Sequence, residues 1–226
     1  MTKFKSWRKS KAYKITNWAV SLVLLMWVSA ITSPKLLAFP YHAQIGDTLI
    51  WSEAPIVPPM KDILARSDKL LKKSAIYSDG YGKFIYLTSG GWRWKLLAVR
   101  SSNSFAISRA FPENIIINQS DIATDKVFSS ATEGRTRTLA DTIAHERTHG
   151  LLRSRFGVTI SYTAPAWKRE GYCDYIAQAS SLNDAQALQM KRSRPDHPAL
   201  TYYLGRKRVA AILADNGGSV DKLFQD

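Results

Sequence analysis

The chemistry in this chain concentrates in His145-Glu146-Arg147-Thr148-His149. Two histidines four apart on a helix share one face, because 3.6 residues per turn bring i and i+4 side by side. Imidazoles so placed can grip one Zn²⁺ from the same side, leaving room for a third ligand and a water. A glutamate directly after the first histidine can reach that water as general base. Chance occurrence of such a pattern is rare in a chain with only 4 His, so the identity of the third ligand decides the reading.

A second stretch, Pro165-Ala166-Trp167-Lys168-Arg169-Glu170-Gly171-Tyr172-Cys173-Asp174-Tyr175, follows downstream. With it the chain resembles the zincin metallopeptidases, in the gluzincin branch and its peptidase-MA-like members. That resemblance is strong over roughly residues 130 to 180. It implies that Glu170, of the Glu-Gly pair, is the third zinc ligand beside His145 and His149. It implies also that Asp174, four residues on, orients a zinc-bound histidine as in thermolysin-like enzymes. Other zinc patterns are excluded by reading onward. A metzincin needs Gly where Leu152 stands and His where Arg155 stands. Intramembrane metalloproteases place the pentapeptide in an apolar helix, whereas Arg135, Arg137, Arg147 and Arg153 surround it here. The Gly-x-Met-x-Asn element of the large membrane aminopeptidases is missing too.

Three ligands and one open position are the arrangement of catalytic zinc. The family usually adds a donor for the tetrahedral oxyanion, and His197, Tyr202 and Tyr203 are unranked candidates. Arg147 projects to the far side of the helix and reads as surface, and His42 reads as solvent-exposed. Cys173, the single cysteine, forbids an intrachain disulfide and reads as a small buried apolar residue.

The elements that must position these residues begin after a hydrophobic segment. Residues 1–14 form a basic arm with Lys3, Lys5, Arg8, Lys9, Lys11 and Lys14 and no acid. Residues 15–34 carry no charge and are long enough to span a bilayer core of about 30 Å. Basic residues before such a span predict an N-in anchor with the remainder extracytoplasmic. A cleaved signal peptide, with Val28-Ser29-Ala30 as the small-residue site, is the competing reading. Of the net charge of +14, the densest basic run thus lies at the membrane end, and nucleic-acid binding is not expected, since it wants a basic face with interleaved aromatics on a folded element.

Residues 35–59 read as a proline-punctuated linker and residues 60–226 as the zincin-like domain. The expected class is α+β: a small antiparallel or mixed sheet, an active-site helix and C-terminal helices. Lys61–Ser74 reads as an amphipathic helix. Lys83–Thr88 and Trp92–Val99, split by Gly90-Gly91, read as a hairpin. Ser104–Ala110 and Asn114–Asn118 read as strands, and the family likeness makes Asn114–Gln119 the candidate edge strand for an extended substrate, with an ordinary sheet strand as the equal alternative. Ser130 and Glu133 fit a capping box opening the active-site helix, weakened by Gly134. Gly157 fits that helix's stop and Pro165 the start of the next, whose apolar stripe is Cys173, Ile176 and Ala177. Ala185–Lys191 and Leu200–Asp215 read as further helices.

These readings together imply a membrane-anchored, zinc-dependent peptidase acting on a peptide or protein substrate. The rival readings are a non-catalytic, zinc-retaining zincin-fold assembly protein, and a basic membrane-surface adaptor in which the pentapeptide is fortuitous. Retention of Glu146 argues against the former, and the Glu170–Asp174 spacing argues against the latter.

Overall fold

A computed structural model describes residues 11–130 and 136–225. The chain divides into two compact units, Met1–Phe39 and Pro40–Asp226. In the first, helix α1 (Lys11–Thr32) contains Tyr13–Thr32, 20 residues of mean hydropathy 1.7. Among the described residues it is the one helix long and apolar enough to cross a membrane.

The second unit is α+β. It opens on strands β1 (Tyr41–Ile45) and β2 (Thr48–Ser52), an antiparallel hairpin across the two-residue turn Gly46-Asp47. Gly46 has φ +56, a conformation that favours glycine. Since Ile50 of β2 is fully buried, this hairpin belongs to the domain, and the reading of residues 35–59 as linker is corrected from Pro40 onward. The turn signal lay in Gly-Asp between apolar runs, hidden among four prolines.

Helix α2 (Pro59–Leu71) then crosses to strand β3 (Phe84–Thr88), which pairs parallel with β2. The expected second arm of a hairpin, Trp92–Val99, is instead helix α3 (Trp92–Ala98). Its buried residues Trp94, Leu97 and Ala98 stand at i, i+3 and i+4, a helical period that the aromatic content disguised.

Strands β4 (Ala106–Ala110) and β5 (Glu113–Asp121) pair antiparallel, and β5 pairs parallel with β3. Short strands β6 (Lys126–Phe128) and β7 (Thr136–Thr138) complete a mixed sheet of order β1-β2-β3-β5-β6-β7, with β4 on β5. The segment Asn114–Gln119 is therefore central. Ile115, Ile116 and Ile117 are fully buried and alternate between faces, and the expectation that this strand is the free edge is corrected. Among the described residues β4 pairs only with β5, and its half-buried Ile107-Ser108-Arg109 has an edge strand's composition.

Helix α4 (Leu139–Phe156) starts at Leu139, capped by Thr138, whose hydroxyl accepts from the Asp141 amide at 3.0 Å. The Ser130 start is corrected, and Glu133 lies outside the described residues. Leu139, Ala140 and Ile143 pack with Met60, Ile63 and Leu64 of α2 against β3 and β5. Helices α5 (Ile160–Thr163), α6 (Ala166–Ala177), α7 (Asp184–Ser193), α8 (Pro198–Asp215) and α9 (Val220–Gln225) follow. The far half of α4, Leu151 and Leu152, enters a second core with α6, α8 and α9, while α7 packs through Ala187 and Met190 on Leu200 and Tyr203 of α8.

Being enclosed on several sides, α4 buries even Arg147. Its guanidinium donates to Asp68 of α2, to the Thr48 hydroxyl at 2.9 Å and to the Gly82 carbonyl at 3.4 Å. The far-side projection was as expected, but the surface assignment is corrected, because α2 covers that side.

Helix α6 is held against α8 by backbone contact. A Cβ on Gly171 would stand 2.5 Å from the Gly205 carbonyl carbon, and one on Gly205 would stand 2.3 Å from the Trp167 carbonyl oxygen. The glycine after Glu170 is thus a packing requirement. Gly171→Ala is expected to lower stability by about 1–3 kcal/mol through overpacking, read as a lower denaturant midpoint. An unchanged midpoint would contradict this close crossing.

Candidate metal centre

Helices α4 and α6 meet so that their polar faces converge. His145, Glu146 and His149 come from α4, and Glu170, Cys173 and Asp174 from α6. The His145 and His149 rings lie 5.0 Å apart. Glu170 Oε2 stands 3.3 Å from His145 Nε2 and 3.5 Å from His149 Nε2.

The other nitrogen of each ring has its own partner. His145 Nδ1 lies 2.8 Å from Asp174 Oδ1, and His149 Nδ1 lies 3.4 Å from Cys173 Sγ. His145, His149 and Cys173 form a group able to hold a metal ion, their ligand atoms within 4.8 Å of one another. Each carboxylate is braced in turn. Arg137 of β7 donates to Asp174 Oδ1 at 2.7 Å, and Arg169 donates to Glu170 Oε1 at 3.0 Å while anchored to the Ser161 carbonyl.

Burial sets the electrostatics. It opposes charge on His145, but the hydrogen bonds to Asp174 and Glu170 win and lift its pKa to about 10. Burial also opposes charge on Glu170 and Asp174. The neighbouring histidines hold Glu170 well below the carboxylate range, and Arg137 with His145 holds Asp174 below its usual value. Desolvation, aided by the nearby carboxylates, pushes the Cys173 thiol well up. Cys173 is therefore a neutral thiol in the metal-free site, beside an imidazole nitrogen.

The site opens on a cavity of about 850 Å³ lined by β4, by His145, Glu146 and His149 of α4, and by His197 and Tyr202. Of the three oxyanion candidates, His197 and Tyr202 reach this wall. Tyr203 is buried against α7, its hydroxyl donating to Asp184. His197 spends Nδ1 capping α8 by accepting from the Ala199 amide at 3.2 Å. Desolvation and the Glu170 charge raise the Tyr202 phenol to about 12, so it stays a donor. His42 is exposed on β1, as expected.

The sequence reading missed Arg137, Arg169 and the role of Cys173 as an imidazole partner. Arg169 had a signal, since its place beside Glu170 at the start of a helix allows a local pair. Arg137 had none, because a three-residue strand delivers it from outside both helices. No protein-family model, no curated protein and no solved structure matches the chain.

The metal-free site has a definite pH signature. The raised His145 pKa contributes stability fully below 6.5, lost as pH climbs towards about 10. The depressed Glu170 and Asp174 contribute stability above their ordinary 4.5 and 3.8, lost in acid. Chelator-treated protein should therefore be most stable between about pH 5 and 6.5, with thermal midpoints falling on both sides. A profile that is flat from pH 6.5 to 10 would contradict the imidazolium–carboxylate arrangement.

Proposed function

We propose that the chain is a membrane-anchored zinc metallopeptidase of the zincin type that hydrolyses peptide bonds outside the cytoplasm. The observation that carries this is the placement of Glu170 Oε2 at 3.3 and 3.5 Å from the two Nε2 atoms. For bonds of about 2.0–2.1 Å, the edges of a tetrahedron around zinc are about 3.3–3.4 Å. The carboxylate oxygen thus stands from each imidazole nitrogen at close to the spacing that a tetrahedral ion requires.

The hydrogen bonds around the two rings favour Glu170 over Cys173 as the third ligand. Asp174 occupies His145 Nδ1, so that ring can offer a metal only Nε2, which faces Glu170. Cys173 lies instead on His149 Nδ1, the side away from Glu170. It serves His149 as Asp174 serves His145, by fixing which nitrogen is free. Such outer partners are worth about 10–100-fold in metal affinity or activity.

Zinc held by His145, His149 and Glu170 would polarise the scissile carbonyl and make water acidic near neutrality. Glu146 lines the same cavity and accepts the proton of the attacking water, then delivers it to the leaving amine. Tyr202 donates to the oxygen on which charge develops. The outer edge of β4 offers backbone groups to an extended peptide, by strand addition beside the metal. Helix α1 supplies the anchor, and the basic arm before it favours an N-in orientation.

Glu146→Gln is expected to keep zinc and fold while peptide hydrolysis falls by about 10²–10⁴-fold, the contribution of general base catalysis. Glu170→Gln should lose zinc itself, because a neutral amide replaces an anionic ligand. Asp174→Asn should fall between them. Metal analysis beside peptide-library cleavage reads this ordering, and a reporter fused after Asp226 should be active only on the outer side. Hydrolysis by Glu146→Gln at the wild-type rate would overturn the role of that base. Zinc binding with no hydrolysis by the wild type would favour a non-catalytic assembly protein.

A further inference from the structure

The cavity wall carries four arginines, Arg109, Arg137, Arg153 and Arg169, against two acids, Glu146 and Glu170. Both acids belong to the proposed chemistry. Arg137 pairs with Asp174 and Arg169 with Glu170, while Arg109 and Arg153 stand towards the Ala110 end of β4.

Arg153 follows His149 by four residues on α4, one turn or about 6 Å along the same face as the metal donors. Its side chain is only 8% exposed. The two oxygens it bonds are neutral, the Ser108 hydroxyl at 2.7 Å and the Arg109 carbonyl at 3.3 Å, both through Nη2. The nearest carboxylate, Glu113, is 3.7 Å away and itself 28% exposed. Nε and Nη1 make no hydrogen bond among the described residues. Arg109 lines the same wall, its Nη2 donating to the Leu97 carbonyl. A guanidinium so largely withdrawn from water gains from a closely bonded anion. Burial accordingly lowers the pKa of Arg153, which an incoming anion would reverse.

Both arginines adjoin β4, the edge beside which an extended peptide would lie. We propose that Arg153, with Arg109, forms a subsite for a substrate carboxylate about one helical turn from the metal, making this a peptidase for acidic substrates. The proposal rests on the peptidase reading. Planar carboxylates match the paired donors of a guanidinium fork, which a lysine or an amide acceptor cannot reproduce. The carboxylate comes from an Asp or Glu side chain or from a peptide C-terminus, which present the same chemistry.

Amidated, internally quenched peptides carrying Glu or Gln at each position around the scissile bond test the side-chain source. The same peptides truncated there, as free acid or amide, test the terminal source. The zinc-loaded full-length chain is expected to prefer the anion by about tenfold or more in kcat/KM in one of the two arms. Arg153→Gln should abolish that preference while retaining zinc and cleavage of the neutral peptide, and Arg153→Lys should restore part of it. Cleavage indifferent to charge in both arms, or a preference that survives Arg153→Gln, overturns the subsite and leaves the peptidase reading standing. If no peptide is cleaved, the peptidase reading fails separately. Fluorescence anisotropy of the same peptides on zinc-loaded E146Q then decides the subsite, supported by Arg153-dependent binding of the acidic peptides and overturned without it.

Discussion

The contact between the His145 imidazole and the Asp174 carboxylate, 2.8 Å long and almost wholly enclosed, is the constraint on which the site depends. A carboxylate at that depth is costly unless it is paired and hydrogen-bonded. Arg137 and His145 supply both, and in doing so they tie β7, α4 and α6 together. The same contact leaves Nε2 as the only nitrogen of His145 that can meet a ligand. The approach of Glu170 Oε2 to that nitrogen, at 3.3 Å, follows from the choice.

Packing makes the contact reproducible. Helix α4 has one half in the sheet core and the other in the helical core, so its histidines cannot rotate without disturbing both. Helix α6 is fixed from behind by the glycine crossing with α8. Between two elements so held, the polar residues face one another with little freedom left to remove when a ligand arrives. Preorganisation of this kind is what metal and catalytic sites require of a scaffold.

Much of this was legible where chemistry follows local spacing. His145 and His149 announce a shared helix face, and Asp174 sits one turn from Glu170 on the next helix. Spacing alone does not single out Glu170 as a ligand. Legibility ended where the partner comes from a distant element. Arg137 arrives on a three-residue strand, and Arg147 is buried only because α2 brings Asp68 across it. The edge strand was misplaced because β6 and β7, too short to show a period, intervene between β5 and α4. Trp92–Val99 reads as a strand because its aromatics and the preceding Gly90-Gly91 outweigh an i, i+3, i+4 pattern within a helix only seven residues long.

The central claim is that α4 and α6 present two imidazoles and one carboxylate to a single ion, with the cysteine held back. X-ray absorption at the zinc edge of the zinc-loaded protein tests this most directly. The expected first shell is nitrogen and oxygen at about 2.0–2.2 Å, with imidazole multiple scattering from two rings. A sulfur scatterer at about 2.3 Å, placing Cys173 on the metal, would contradict the account.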